Sequence, residues 1–278
     1  MAITQFRILP APKALQRDVK CFRLSTYTTP GEVKIRVCPN TNPGIVFQQH
    51  SGKSAVKDII TDSGRTVRVP TLFMHGQVTE SSVMHFVAPY STIQVILKPY
   101  ALHTLFGLDA VGLTNNSMGA EAFEAESLNR GLLAVGTPEN QVELLTSFLL
   151  AQQASIERRD NIVEDIVDFI DEHIARVTVE YICSRFAISE RQLLRKFKRA
   201  IGIAPQTYIR IKRINEAFRL MDSGKYEQLA DIAHELNFHD QSHFIRDIKL
   251  FSGVSPKSIS QKVNDFHHDQ VGSSYIYQ

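Results

Sequence analysis

The stretch Ser189–Gly202, SERQLLRKFKRAIG, sets Arg191, Arg195, Lys196, Lys198 and Arg199 close together, although the 278-residue chain carries a formal net charge of only +2. At 3.6 residues per turn, Leu193, Phe197, Ala200 and Ile201 share one side of a helix, and Arg191, Arg195 and Lys198 stack on another. Ser189 precedes the first turn as an N-cap, and Thr178 does the same before VEYICSRFA. Only Ile188 and Ser189 separate the two helical patterns. Two short helices joined that tightly must cross steeply, which is helix-turn-helix geometry. In that geometry the second helix enters the major groove with its N-terminal half toward base edges.

A second copy follows. Gly202 and Pro205 recur as Gly253 and Pro256, 51 residues later, and the same shift takes Leu193 to Phe244, Arg195 to Arg246, Phe197 to Ile248 and Lys198 to Lys249. Ahead of the turn the shift is 50, from Ile182 to Ile232 and from Cys183 to Ala233, so the second turn is expected to hold one extra residue. Between the copies, APQTYIRIKRINEAFRLMDSG is apolar at Ile209, Ile214, Ala217 and Leu220 and reads as one long linker helix. Two recognition helices on such a linker reach successive major-groove faces if they stand about 34 Å apart. Ahead of the first unit, IVEDIVDFIDEHIA has an apolar stripe (Ile162, Ile166, Phe169, Ile170, Ile174). Its acidic residues, Glu164, Asp165, Asp168, Asp171 and Glu172, are expected to form a solvated face.

The first hundred residues have a different period. Val33, Ile35 and Val37 alternate, as do Ile93, Val95 and Leu97, and TTPGE, PNTNPG, HSGKS and DSGRT read as turns. This predicts many short strands in a small barrel or sandwich. PENQVELLTSFLLAQQASIE then reads as a helix, and its stripe of Val142, Leu145, Phe148 and Leu149 suits either a second copy of the chain or its own barrel. The fold class expected is therefore α+β in two domains: residues 1–157 regulatory or dimerising, 158–264 DNA-binding and all-α, and 265–278 a polar tail.

Cys21, Cys38 and Cys183 stand singly, which leaves neither a disulfide framework nor a metal knuckle and suggests ordinary thiols in a reducing compartment. His50, His75, His85 and His103 are widely spaced, and His267 and His268 fall in the tail, so no metal and no cofactor are expected. No run of about 18 apolar residues would span a bilayer, and MAITQFRILPAPK lacks the charged start and apolar core of a signal peptide. A cytoplasmic protein without membrane partners is expected.

The motifs ISERQLLRKFKRAIGIAPQTYIRIKRINEA and LADIAHELNFHDQSHFIRDIKLFSGVSP, spanning about 161–261, resemble the DNA-binding domain of the AraC family of bacterial transcription regulators. VKIRVCPNTNPGIVFQQHSG and STIQVILKPYALHTLFGL resemble the cupin-like regulatory domain that precedes it in one branch of the family. The resemblance implies a regulator, usually an activator working beside RNA polymerase on double-stranded DNA, with a small-molecule effector in many members. It implies base-edge contacts from Arg191, Gln192 and Arg195 and from Gln241, Ser242 and Arg246. Phosphate contacts are implied for Lys198, Arg199, Gln206 and Lys257. Arginine's planar fork matches guanine, and glutamine matches adenine.

Three residues depart from the family pattern. Asn237 stands where glycine is usual, Ile248 replaces an aromatic residue, and Asp247 is expected to put an acid beside the DNA-facing side, weakening the second unit. From Ile162 onward 16 basic residues meet 16 acidic ones, so a modest salt dependence is expected. Two other functions compete: a barrel used only for dimerisation in a constitutive DNA-binding protein, and an enzyme with a DNA-targeting tail. The second has no phosphate loop, nucleophile motif or metal constellation behind it.

Overall fold

The computed structural model describes residues 5–156, 159–223, 226, 228–238, 240–253, 266–268 and 274–277. Its N-terminal part is one antiparallel sheet built from β1 (Gln5–Pro10), β2 (Val19–Val37), β3 (Gly44–Gln49), β4 (Val56–Thr61), β5 (Thr66–Val67), β6 (Leu72–His75), β7 (Ser82–Leu97) and β8 (Ser117–Gly119). The short-strand expectation misses β2 and β7, which pair along most of their length. TTPGE is no turn: it lies inside β2, where the register shifts between Tyr27 and Gly31 and Gly31 takes φ +141°. One irregularity bends a long ribbon where two strands and a turn were expected. HSGKS and DSGRT do turn the chain, with Gly52 and Gly64 in the left-handed region.

Alternate residues of β2, β3, β6 and β7 share one face of the sheet. Phe22, Ile45, Phe47, Leu72, Met74, Val95 and Leu97 form a buried cluster on one face, which helices cover. These helices are α1 (Ala101–Phe106), α2 (Glu126–Ala134) and α3 (Pro138–Ala154). On α3, Leu145 and Leu149 are fully buried in this cluster, with Val142 and Phe148 packed against it. The stripe offered for dimerisation is thus occupied by the chain's own core.

The second part is helical: α4 (Ile162–Glu172), α5 (Val179–Arg185), α6 (Glu190–Ile201), α7 (Pro205–Asp222), α8 (Leu229–Glu235) and α9 (Gln241–Ser252). Its core runs from Ile166 and Ile170 through Ile182, Leu193 and Phe197 to Tyr208, Ile214, Phe218, Phe244 and Ile248. Cys38 and Tyr100, from the sheet side, are buried in the same cluster, so the two parts share apolar contact. Stretch 265–278, expected to be a tail, carries β9 (Phe266–His268) and β10 (Ser274–Tyr277), and β10 pairs with Ile35–Val37 of β2. Strand pairing uses backbone groups, which composition does not reveal.

The acidic face of α4 is not simply solvated. Glu164 is 5% exposed and accepts from Arg17 Nε and Arg159 Nε, each at 2.8 Å, while Arg159 also pairs with the buried Asp18. Asp171 pairs with Lys212 at 2.8 Å. Spacing alone could not tell solvent-facing carboxylates from one that meets Arg17, 147 residues away.

Candidate nucleic-acid interface

The first unit, α5 and α6, begins from two caps. Thr178 Oγ1 accepts from Tyr181 N at 3.1 Å, and Ser189 forms a reciprocal capping box with Gln192. The connection runs over 186–189, four residues where the sequence suggested two, because Ala187 leaves the helix at φ +49°. In the second unit the connection is 236–240, the one extra residue expected, and Asn237 takes φ +54° at the position matching Ala187. Asparagine tolerates the left-handed region, so the missing glycine leaves the turn intact. Asp240 caps α9 by accepting from His243 N at 2.7 Å.

Each recognition helix buries one side and exposes the other. Leu193, Phe197, Ala200 and Ile201 are buried on α6, as are Phe244, Ile248 and Phe251 on α9. Opposite them, Arg191, Gln192, Arg195, Lys198 and Arg199 are exposed on α6, and Gln241, Ser242, Arg246 and Lys249 on α9. Gln206 is exposed in the first turn of α7, beside the buried Pro205. Lys257 lies outside the described residues.

The two cationic faces are unequal. Where α6 has Arg191 and Arg199, α9 has Ser242 and Leu250. Gln192 is also already engaged, since its Oε1 accepts from Ser189 N at 3.2 Å and Ser189 Oγ at 3.0 Å. A bidentate contact to adenine would therefore require it to release the cap. Lys196 pairs with Asp160 and stands apart from the exposed strip.

Asp247 does not lie where its place in the sequence suggested. It is fully buried, not beside the DNA-facing side, and Arg210 of α7 holds it with Nε to Oδ2 at 2.8 Å and Nη2 to Oδ1 at 2.5 Å. A helical wheel shows which side of α9 the residue occupies. It cannot show that α7 brings a guanidinium there.

Further contacts from the sheet side reach the ends of α6 and α9 and the body of α7, and the sequence reading missed them. Thr114 Oγ1 donates to Gly202 O at 2.8 Å, at the end of α6. Gly202 sits at φ +99°, and a Cβ there would stand 2.7 Å from Ala110 O. Asn215 Nδ2 of α7 donates to Pro39 O at 2.9 Å. At the end of α9, a Cβ on Gly253 would stand 2.5 Å from Arg36 Nη1, which is itself fixed by Asp62 at 2.6 Å and Ser81 at 2.9 Å. The glycines' equivalence was legible. What they pack against was not.

Inside the sheet lies a cavity of about 200 Å³. Ile35, Val46, Phe73, Met84 and Phe86 give it an apolar wall, and Arg23, His75 and Gln94 give it polar groups. Val37, Cys38, Thr61, Ser82 and Asn115 also line it, and each is the chain neighbour of a holding residue: Arg36, Pro39, Asp62, Ser81 or Thr114. The four histidines are dispersed. Nδ1 of His50 pairs with Pro89 O at 2.7 Å and that of His103 with Leu108 O at 2.8 Å, while His85 pairs with Asp58 at 2.8 Å. Burial lowers the pKa of His75, whose Nδ1 pairs with Gly76 O at 3.1 Å. Among the described residues no group of three or more histidine, cysteine, aspartate or glutamate side chains could hold a metal ion. Cys21 and Cys38 are buried and Cys183 is half-buried, and burial pushes Cys38 up to about 12.

Two helix pairs whose second helices are capped and expose cations, joined by one linker helix, define a double helix-turn-helix domain. The sequence family described as "Helix-turn-helix domain" matches residues 182–262, and "Domain of unknown function (DUF6597)" matches residues 7–119. The C-terminal part of this chain is a helix-turn-helix domain of the AraC type. This chain is 31% identical over 106 residues to the HTH-type transcriptional activator RhaS of Escherichia fergusonii, covering 38% of each chain. To the arabinose operon regulatory protein of Escherichia coli it is 25% identical over 135 residues, 45% of this chain and 46% of that one. The match thus spans about two fifths of the length of these curated relatives. A solved structure of ToxT from Vibrio cholerae aligns over 85% of this chain and 97% of that one, at 13% identity and a TM-score of 0.46. Among the described residues no helix is long and apolar enough to cross a membrane.

Proposed function

We propose that this chain is a sequence-specific DNA-binding regulator of transcription, acting chiefly as an activator. The observation that carries the reading is the exposure of Arg195 and Arg246 at equivalent positions, each opposite the buried face of its recognition helix. Arg191 and Gln192, with Gln241 and Ser242 in the second unit, complete the base-edge set. Lys198, Arg199 and Gln206 anchor phosphates, and the unequal cationic faces make the first unit the stronger reader. Lys257 is assigned to phosphate by the family pattern alone.

The N-terminal residues 1–157 serve as the regulatory domain and 158–264 as the DNA-binding domain. The cavity is the place for a small-molecule effector, because five of its lining residues adjoin groups that bond to α6 and α7 or pack against the end of α9. RNA polymerase is the partner that activation requires, and the cytoplasm is where these partners meet. Catalysis has no part in this reading. Selection of binding sites from a random duplex library by the folded chain, followed by footprinting, tests it. Failure to enrich any sequence at low salt would count against it.

A further inference from the structure

Arg195 and Arg246 occupy the same position on α6 and α9, as do Lys198 and Lys249. One residue before each arginine stands a large apolar side chain in solvent: Leu194 is 39% exposed and Ile245 is 36% exposed. On a helix Leu194 neighbours Arg191 at i−3 and Lys198 at i+4, and Ile245 neighbours Ser242 and Lys249 in the same way. A single exposed leucine needs no explanation. Matched apolar residues on two recognition helices, each set against a cationic strip, do.

Cations on that side favour a polyanion over an apolar protein partner, and the polyanion must present an apolar group to the helix. Duplex DNA does so in its major groove, through the C5 methyl of thymine. We infer that Leu194 and Ile245 read thymine methyl groups beside the base pairs addressed by Arg195 and Arg246. The inference rests on the DNA-binding reading and deepens it by naming two specificity-determining residues and the base they select. Both half-sites then carry a thymine next to the pair read by arginine, and the motif repeats about one helical turn away.

The test starts from a site selected by the full chain and replaces each thymine in turn with uracil, which lacks only the C5 methyl. The protein is untouched, so folding is not at issue. One replacement in each half-site is expected to weaken binding about fourfold, the worth of one buried methyl group. Leu194→Ala is expected to abolish the response to the first replacement and keep the second, and Ile245→Ala the reverse. A specific site at which no uracil changes affinity overturns the inference and leaves the DNA-binding reading standing. So does a Leu194→Ala protein that remains fully uracil-sensitive at both positions. If the folded chain selects no site, both readings fall together.

Discussion

Removing Arg210 should harm the protein more than removing its partner Asp247. The Asp247 side chain is 1% exposed and that of Arg210 is 41% exposed, and two charge-assisted hydrogen bonds join them. In Arg210→Ala the carboxylate stays enclosed, with the His243 imidazole Nε2 at 3.9 Å. An uncompensated buried charge of this kind costs about 3 to 5 kcal/mol. In Asp247→Ala the half-exposed guanidinium keeps its access to water, and the loss is that of the hydrogen bonds, about 1 to 2 kcal/mol. The double variant should be more stable than Arg210→Ala alone, since the stranded charge is gone. Urea denaturation of the full chain gives the ranking, and amide exchange in α9 shows whether the loss is local. A more destabilising Asp247→Ala, or a double variant equal to the sum of the singles, would refute the argument. DNA affinity adds a cross-check: an acid facing the groove would repel DNA, so its removal would tighten binding, whereas the buried Asp247 should give no such gain.

Gly202→Ala should destabilise the chain by about 2 to 4 kcal/mol, combining left-handed strain of about 1 to 2 kcal/mol with displacement of Ala110. Thr114→Val, which removes the hydroxyl that donates to Gly202 O and Ala110 O, should cost about 1 kcal/mol, and thermal melts compare the two. Lys20, which donates to Asn42 Oδ1 at 2.6 Å, is held down to about 8 by burial and then by Lys212. Between about pH 8 and 10.5 the unfolded chain binds more protons at this site than the folded one, so its burden is full below pH 8 and lifts as pH rises. Wild type should therefore gain on Lys20→Met by up to about 2 kcal/mol between pH 7.5 and 9.5, and parallel stability curves would contradict this. Arg195→Ala should weaken a selected site by about 1 to 3 kcal/mol and relax one base position, whereas Lys198→Ala should weaken all duplexes alike; gel shifts on matched and mismatched sites separate them.

The helical half was the more legible part, for a physical reason. Its signals are local: Ser189 and Thr178 cap within their own first turns, and Leu193 and Phe197 lie four residues apart. The extra residue in the second turn could be counted. Long-range facts were illegible. Nothing near Glu164 announces Arg17, nothing near Asp247 announces Arg210, and TTPGE has turn composition while lying within a strand. For the interface, helix faces gave the exposed residues, but the engagement of Gln192 Oε1 in its own cap depended on a rotamer that spacing does not determine.

The contacts that Thr114, Pro39 and Arg36 make with Gly202, Asn215 and Gly253 bear on how such proteins can be recombined. On the proposed division of the chain, a hybrid spliced near residue 157, with a foreign N-terminal part on these helices, would inherit the helices without the residues that pack against them. For a transplant to keep the spacing of the two recognition helices, the grafted part must bring its own counterparts of those three residues. The portable unit is wider than the stretch of chain proposed to touch DNA.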